Sequence, residues 1–241
     1  MPKNSQFLKV LFNMNLKDKN VVIIGGSQGF GRALAIGFIN EGANVIIASK
    51  NQESVSKTGN EIGATSMVCD VKNEESIKKV AQAVMEEFGS IDIWINSAGV
   101  FKVFPVGEDI DMNKAHEMFD INFFGSVFGS RTALFHMKGG TIMNVLSSAA
   151  LDATRSKNAK LYAASKWALR GYIDALRGEN KDSQVNIFSL YPGGMKTHLH
   201  DERLPADFEN FMDPEYVVQK VIDNLKLDNP EQDLIIKRPM A

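Results

Sequence analysis

Tyr162 and Lys166 are the residues of this chain whose types and spacing could together move a proton. Four positions apart on a helix, a phenol and an ammonium project side by side from one face. Ala163, Ala164, Trp167, Ala168, Leu169 and Arg170 suit a helix, and neither Pro nor Gly interrupts before Gly171. A phenol ordinarily titrates near 10, too high for a base at neutral pH, and a fixed cation beside it favours the phenolate. Such a pairing would let Tyr162 exchange a proton with an alcohol or carbonyl oxygen. A lone Tyr-x-x-x-Lys is also what an ordinary surface pair looks like, so the elements around it decide.

Upstream, Val21-Val22-Ile23-Ile24 is an unbroken apolar run of the kind found in strands buried on both faces. Gly25-Gly26-Ser27-Gln28-Gly29-Phe30-Gly31 follows at once, and an amphipathic helix begins at Arg32. Strand, glycine turn and helix are the context of a dinucleotide fingerprint, here spaced G-x-x-x-G-x-G. Gly25 permits a tight turn, Gly29 lets backbone approach a pyrophosphate, and Gly31 lets the helix pack closely, its free N–H groups facing the phosphates. Ser27, Gln28 and Phe30 join them as candidate cofactor contacts.

The second strand, Asn44 to Ala48, ends in Ser49 and Lys50. An acidic residue there would hold a ribose hydroxyl, whereas a hydroxyl and an ammonium suit a 2′-phosphate; NADP is expected, with NAD the alternative. The third strand, Thr65 to Val71, brings Asp70 and Val71 to the adenine end. The fourth, Ile91 to Ile95, runs into Asn96-Ser97-Ala98-Gly99, where small Ala98 and Gly99 leave room for a cofactor and Asn96 can pin neighbouring strands. One long helix is predicted over Asn113–Met137. It carries Asn122, buried among apolar neighbours, and Gly125 and Gly129 on one face for close packing against the sheet or another subunit. Strands at Thr141–Leu146, Gln184–Leu190 and Asp233–Ile236 complete the set, with Pro192, Gly193 and Thr197 leaving the second of these.

The 241 residues suit one large α/β domain, and a hydrophobic fraction of 44% is ample for its core. A formal net charge of -2 points to neither nucleic acid nor an anionic membrane. One cysteine, Cys69, excludes an internal disulfide and a multi-cysteine metal site, and no histidine has acidic or cysteine neighbours at ligand spacing. Residues 1–18 read as an N-terminal extension before a domain over 19–241. Phe7 to Phe12 is too interrupted for a secretory signal, and no stretch approaches the roughly 20 apolar residues of a membrane span, which makes the cytoplasm the default location.

Gly25, Gly29, Gly31, Asp70, Asn96-Ser97-Ala98-Gly99, Asn122, Ser148, Tyr162, Lys166, Pro192-Gly193 and Thr197, in this order from about Lys19 onward, resemble the classical short-chain dehydrogenase/reductase family. The resemblance implies a single doubly wound Rossmann-type domain of about seven mostly parallel strands, ordered 3-2-1-4-5-6-7, with helices on both faces. It implies Tyr162 as general acid or base, Lys166 lowering its pKa and binding the nicotinamide ribose, Ser148 on the substrate oxygen, and Asn122 holding a water. Pro192 and Thr197 would fix the nicotinamide end. Ser148 lies fourteen positions before Tyr162, one more than the resemblance leads one to expect, which leaves Ser147 as the alternative. Ile24 replaces a threonine usual before the first glycine, and Gln28 a basic residue frequent in NADP-preferring members. The expected activity is hydride transfer between nicotinamide cofactor and a small carbonyl or alcohol, by a homodimer or homotetramer. An idle NADP-binding regulator and a sugar-nucleotide epimerase or dehydratase share the fold.

Overall fold

The computed structural model describes residues 14–156, 158–200 and 204–238. Seven strands form one sheet in the order 3-2-1-4-5-6-7, every pairing parallel. They are β1 (Asn20–Ile24), β2 (Asn44–Ser49), β3 (Thr65–Val68), β4 (Ile93–Asn96), β5 (Gly140–Val145), β6 (Val185–Pro192) and β7 (Asp233–Ile236). Alternation along the strands builds two cores. Val21 and Ile23 join Val45, Ile47, Ile93 and Ile95 under α1 (Gly29–Asn40), α2 (Gln52–Ile62) and α7 (Pro214–Leu225). Val22, Ile24, Ile46, Trp94 and Ile142 face the other way, under α3 (Glu74–Phe88), α5 (Gly125–His136) and α6 (Lys160–Glu179). Every central strand is covered on both sides, which is why it reads as an apolar run rather than an alternating one.

Of the N-terminal extension, residues 14–18 are described: Leu16 is buried in the first core, and the Met14 amide donates to the Leu225 carbonyl at 3.2 Å. The apolar run Phe7 to Phe12 lies outside the described residues.

The helix predicted over Asn113–Met137 is interrupted. An α-helical stretch, α4 (Met112–Phe119), passes into a π-turn at Asp120–Phe124 and resumes as α5. The Gly125 amide donates to the Asp120 carbonyl, five residues back. The extra residue lets Asn122 point wholly into the protein, at 0% exposure. Gly125 and Gly129 also face inward. A Cβ on Gly125 would stand 3.0 Å from Val71 Cβ, and one on Gly129 would collide with the Asn96 side chain. Of the two packing partners open to these glycines, the structure chooses the sheet side, and the opposite face of the helix carries half-exposed Phe124 and exposed Phe135.

Candidate active site

At the crevice between β1 and β4 the backbone comes closest to itself. Gly25 has φ +89°, and a Cβ there would lie 2.5 Å from the Ala98 amide nitrogen. A Cβ on Gly31 would drive into the Gly25 carbonyl, so α1 can begin hard against the turn only with glycine at that position. Gln28, the residue before α1, offers no side-chain cap to the first-turn amides. The turn is braced from behind: the Ser27 amide donates to Ser49 Oγ at 3.2 Å, and Thr58 Oγ1 donates to the Ser27 carbonyl at 2.8 Å.

A cleft of about 1820 Å³ runs from this turn across the C-terminal ends of the strands. It is lined by Gly25, Gln28, Gly29, Phe30, Gly31, Ala98, Gly99, Ser148, Tyr162, Lys166, Pro192, Gly193 and Thr197 from the sequence-derived set. Ser27, Ser49, Lys50, Asp70, Val71, Asn96 and Asn122 do not line it. Ser49 sits behind the glycine turn, and Lys50 Nζ is 3.5 Å from Asp70 Oδ2 on the surface nearby. The side chain of Val71 packs into the second core. Asn96 belongs to a buried network instead of a cofactor site: Trp94 Nε1 donates to its Oδ1 at 2.8 Å, and its Nδ2 donates to Asn144 Oδ1 at 2.8 Å and Ser130 Oγ at 3.1 Å. Its carboxamide is consumed in joining β4, β5 and α5.

Tyr162 and Lys166 lie on the first turns of α6, both buried, with the ammonium 6.0 Å from the phenol ring centroid. Lys166 Nζ donates to the Val145 carbonyl at 2.9 Å, where β5 ends. Asn122 closes the corner. Its Oδ1 accepts from the Val100 amide at 2.8 Å, its Nδ2 donates to the Val100 carbonyl at 2.9 Å and to Ser165 Oγ at 3.3 Å, and Ser165 Oγ donates to the Tyr162 carbonyl at 2.7 Å. This carboxamide thus ties the loop after β4 to the helix bearing the tyrosine. Gly99 backs onto both polar groups: a Cβ there would lie 3.4 Å from Asn122 Oδ1 and 3.8 Å from Lys166 Nζ. Phe101 meets the Tyr162 ring edge-on, centroids 5.0 Å apart, above a small apolar cluster of Phe104, Met118 and Ala159.

The hydroxyl hydrogen-bonded to the phenol is that of Ser147, the alternative to Ser148 in the sequence. Ser147 has extended backbone, and its Oγ also accepts from the Ala149 amide; Ser148 starts the short turn that follows and is exposed at the cleft wall. The phenol pKa lies above its usual value, where the resemblance implies a lowered one. Burial pushes it up, and the Ser147 hydrogen bond only partly opposes this. Burial likewise lowers Lys166 to about 8. Desolvation penalises both charged forms, and the lysine's hydrogen bond goes to Val145 instead of the phenol.

The far end of the cleft is lined by Phe101, Lys102, Val103, Ala149, Leu151, Met195, His198 and Leu199. Leu204, Pro205, Ala206, Asp207 and Phe211, from the segment between Thr197 and Pro214, also line it. Sequence reasoning missed these, and Arg238 beside them, since nothing local marks them.

The chain belongs to the short chain dehydrogenase family of oxidoreductases, which matches over residues 19–207. It is 30% identical over 239 residues to the uncharacterized oxidoreductase YxnA of Bacillus subtilis (strain 168), covering 92% of this chain and 66% of that one. An uncharacterized oxidoreductase of Staphylococcus aureus (strain N315) is 27% identical over 213 residues, covering 86% and 90%. Two solved structures share the fold. An alcohol dehydrogenase from the archaeon Thermococcus sibiricus, complexed with 5-hydroxy-NADP, has a TM-score of 0.79 at 24% identity, covering 92% of this chain and 99% of that one. A short chain dehydrogenase/reductase from Burkholderia phymatum, in complex with NAD, has a TM-score of 0.82 at 21% identity, covering 92% and 90%.

Proposed function

We propose that this protein transfers a hydride between a nicotinamide cofactor, NADP(H) by preference, and a small carbonyl or alcohol, with Tyr162 as general acid and base. One observation carries the reading: the buried Tyr162–Lys166 pair lies in the wall of a cleft whose other end is a glycine turn with no room for a Cβ at Gly25 or Gly31. The fit to the cofactor is good. A turn where a side chain at Gly25 or Gly31 would strike backbone, ahead of an uncapped helix start, suits a pyrophosphate. Lys166 would hold the nicotinamide ribose, and Pro192, Gly193 and Thr197 the nicotinamide end. Bound there, the nicotinamide supplies or accepts the hydride.

The chain's own residues handle the proton. Burial raises the Tyr162 phenol pKa, so the protonated phenol is the form that donates to a carbonyl oxygen during reduction. Ser147 stands beside the phenol to share the substrate oxygen. Phe101 and Phe104 keep bulk water from that corner. Alcohol oxidation requires the phenolate, and its rate therefore rises with pH.

Ser49 and Lys50 support NADP. Solvent screens the Lys50–Asp70 pair, so a 2′-phosphate competes with Asp70 for the ammonium. The half-exposed face of Phe124, stacked on Phe128, together with half-exposed Trp167 supports a homodimer or homotetramer, checked by light scattering. No described helix is long and apolar enough to cross a membrane, and the cytoplasm is the proposed location.

The test is Tyr162→Phe, assayed with NADPH and a carbonyl panel. Turnover should fall by about 10²–10⁴-fold while cofactor affinity, followed by fluorescence, is kept. Undiminished turnover would remove Tyr162 from the mechanism.

A further inference from the structure

We infer that Arg238, beyond the last strand, is a positioning residue that clasps the 204–211 segment across the substrate end of the cleft. This rests on reading the cleft as the active site.

The segment is stitched down at one end by backbone alone. The Met212 amide donates to the Gly194 carbonyl at 2.9 Å, the Lys196 amide to the Met212 carbonyl at 2.9 Å, and Met195 and Met212 form an isolated parallel bridge. Its outer part is held differently. β7 runs beside β6, and the Gly193 amide donates to the Ile236 carbonyl at 3.0 Å, which delivers the tail to the rim of the cleft. From there Arg238 Nη2 donates to Asp207 Oδ2 at 2.8 Å, and its guanidinium covers the Phe211 ring at 4.7 Å. Phe211 in turn contacts Phe208, centroids 5.3 Å apart, and lies so close over Gly194 that a Cβ there would be 2.6 Å from its ring. Asp207, Phe211 and Arg238 all line the cleft that holds Tyr162.

The clasp engages one carboxylate and one ring face at once, a double role suited to arginine's flat fork. Both partners are partly exposed, the side chains of Arg238 and Asp207 at 36% and 55%. Pairs so placed are individually weak, and a stacked cation adds a comparable amount. A clasp of that strength keeps a flap closed most of the time and still releases it at each turnover. The clasp bears on Phe211 and Asp207 at the far end of the cleft, so its loss should weigh on the carbonyl substrate more than on the cofactor.

The experiment compares wild type, Arg238→Ala, Arg238→Lys and Asp207→Asn by hydrogen exchange and by steady-state kinetics with NADPH and a reducible carbonyl. In Arg238→Ala, exchange of amides 208–212 should speed up about fivefold to tenfold, with α1 and α6 unchanged. KM for the carbonyl should rise by a similar factor, kcat should move less than about twofold, and the NADPH Kd should hold. Arg238→Lys, keeping the charge and losing the stacked plane, should fall between. Unchanged exchange in 208–212, or a KM that rises only in step with the NADPH Kd, would overturn the clasp. A wild type that reduces no carbonyl would sink the active-site reading, while the exchange data would still decide the clasp.

Discussion

The two ends of the cleft are made in opposite ways. At the glycine turn, shape comes from atoms that are absent: no Cβ can be added to Gly25 or Gly31 without striking backbone, and the bracing bonds from Ser49 and Thr58 satisfy ordinary polar groups. At the α6 corner, shape comes from polar atoms held where water cannot reach them. Asn122 and Ser165 are fully buried, Lys166 is 4% exposed, and a phenol and an ammonium are both pushed toward their neutral forms. The first end is compatible with stability. The second works against it, as expected where charge must appear on demand.

The sharpest way to break this contrast is Gly31→Ala. The new methyl meets the Gly25 carbonyl, which cannot give way without moving the turn. It should cost about 3 kcal/mol, lower Tm by about 6–12 °C, and abolish cofactor binding. A variant that binds NADPH normally would show that the turn is looser than drawn.

Lys166→Met should do the reverse. The lysine's folded-state pKa of about 8 lies below its unfolded value of 10.5. The unfolded chain thus binds the proton more tightly, and stability rises with pH between those values; below about 8 the whole cost of burying the charge is present. At pH 7 the variant should unfold about 3 kcal/mol later, less whatever the Val145 hydrogen bond contributed. Turnover should be lost and the rise in stability between pH 8 and 10.5 flattened. Above pH 10 stability falls again, because Tyr162 has its pKa raised on folding. Urea unfolding at pH 7 and pH 10 checks this, and a destabilised, still pH-dependent variant would refute it.

The serines sharpen the catalytic end further. Ser147→Ala should lower kcat by about 100-fold, the low end of what one oxyanion donor supplies, and Ser148→Ala by about threefold or less at an exposed position. The opposite ranking would restore Ser148 to the role implied by its position in the sequence. The smallest effect expected is at the adenine end. Ser49→Asp should shift the NADPH-to-NADH affinity ratio toward NADH by about tenfold through charge repulsion, and an unmoved ratio in a paired titration would take Ser49 out of cofactor choice.

Much of this molecule was legible in its sequence, for physical reasons. Buried strands announce themselves as apolar runs, the glycine turn by a spacing that only close backbone approach requires, and the Tyr162–Lys166 pair by helical periodicity. What escaped depends on surroundings that periodicity does not encode. Ser147 and Ser148 differ only by the direction in which a strand end turns. The sign of the phenol shift depends on how much water is excluded and on the lysine's choosing Val145 as its acceptor. That Asn96 can pin neighbouring strands was legible, but its partners Trp94, Ser130 and Asn144 were not. Asp207, Phe211 and Arg238 meet only because β7 lies next to β6.

The π-turn at Asp120–Phe124 has a consequence for how this chain can change length. A helix advances 100° and 1.5 Å per residue, and a π-turn stores one residue outside that count. Deleting one residue here would restore a plain α-helix with the turns on either side kept in register, so the change would fall on the residues of the turn itself. Asn122 would then swing off Val100 and Ser165, releasing the loop after β4 and the tyrosine's helix together. A one-residue change within α4 or α5 would instead turn the two halves of the helix against each other by about 100°. The turn is thus the one place where this helix can shed a residue in register, and Asn122 is what such a loss would forfeit.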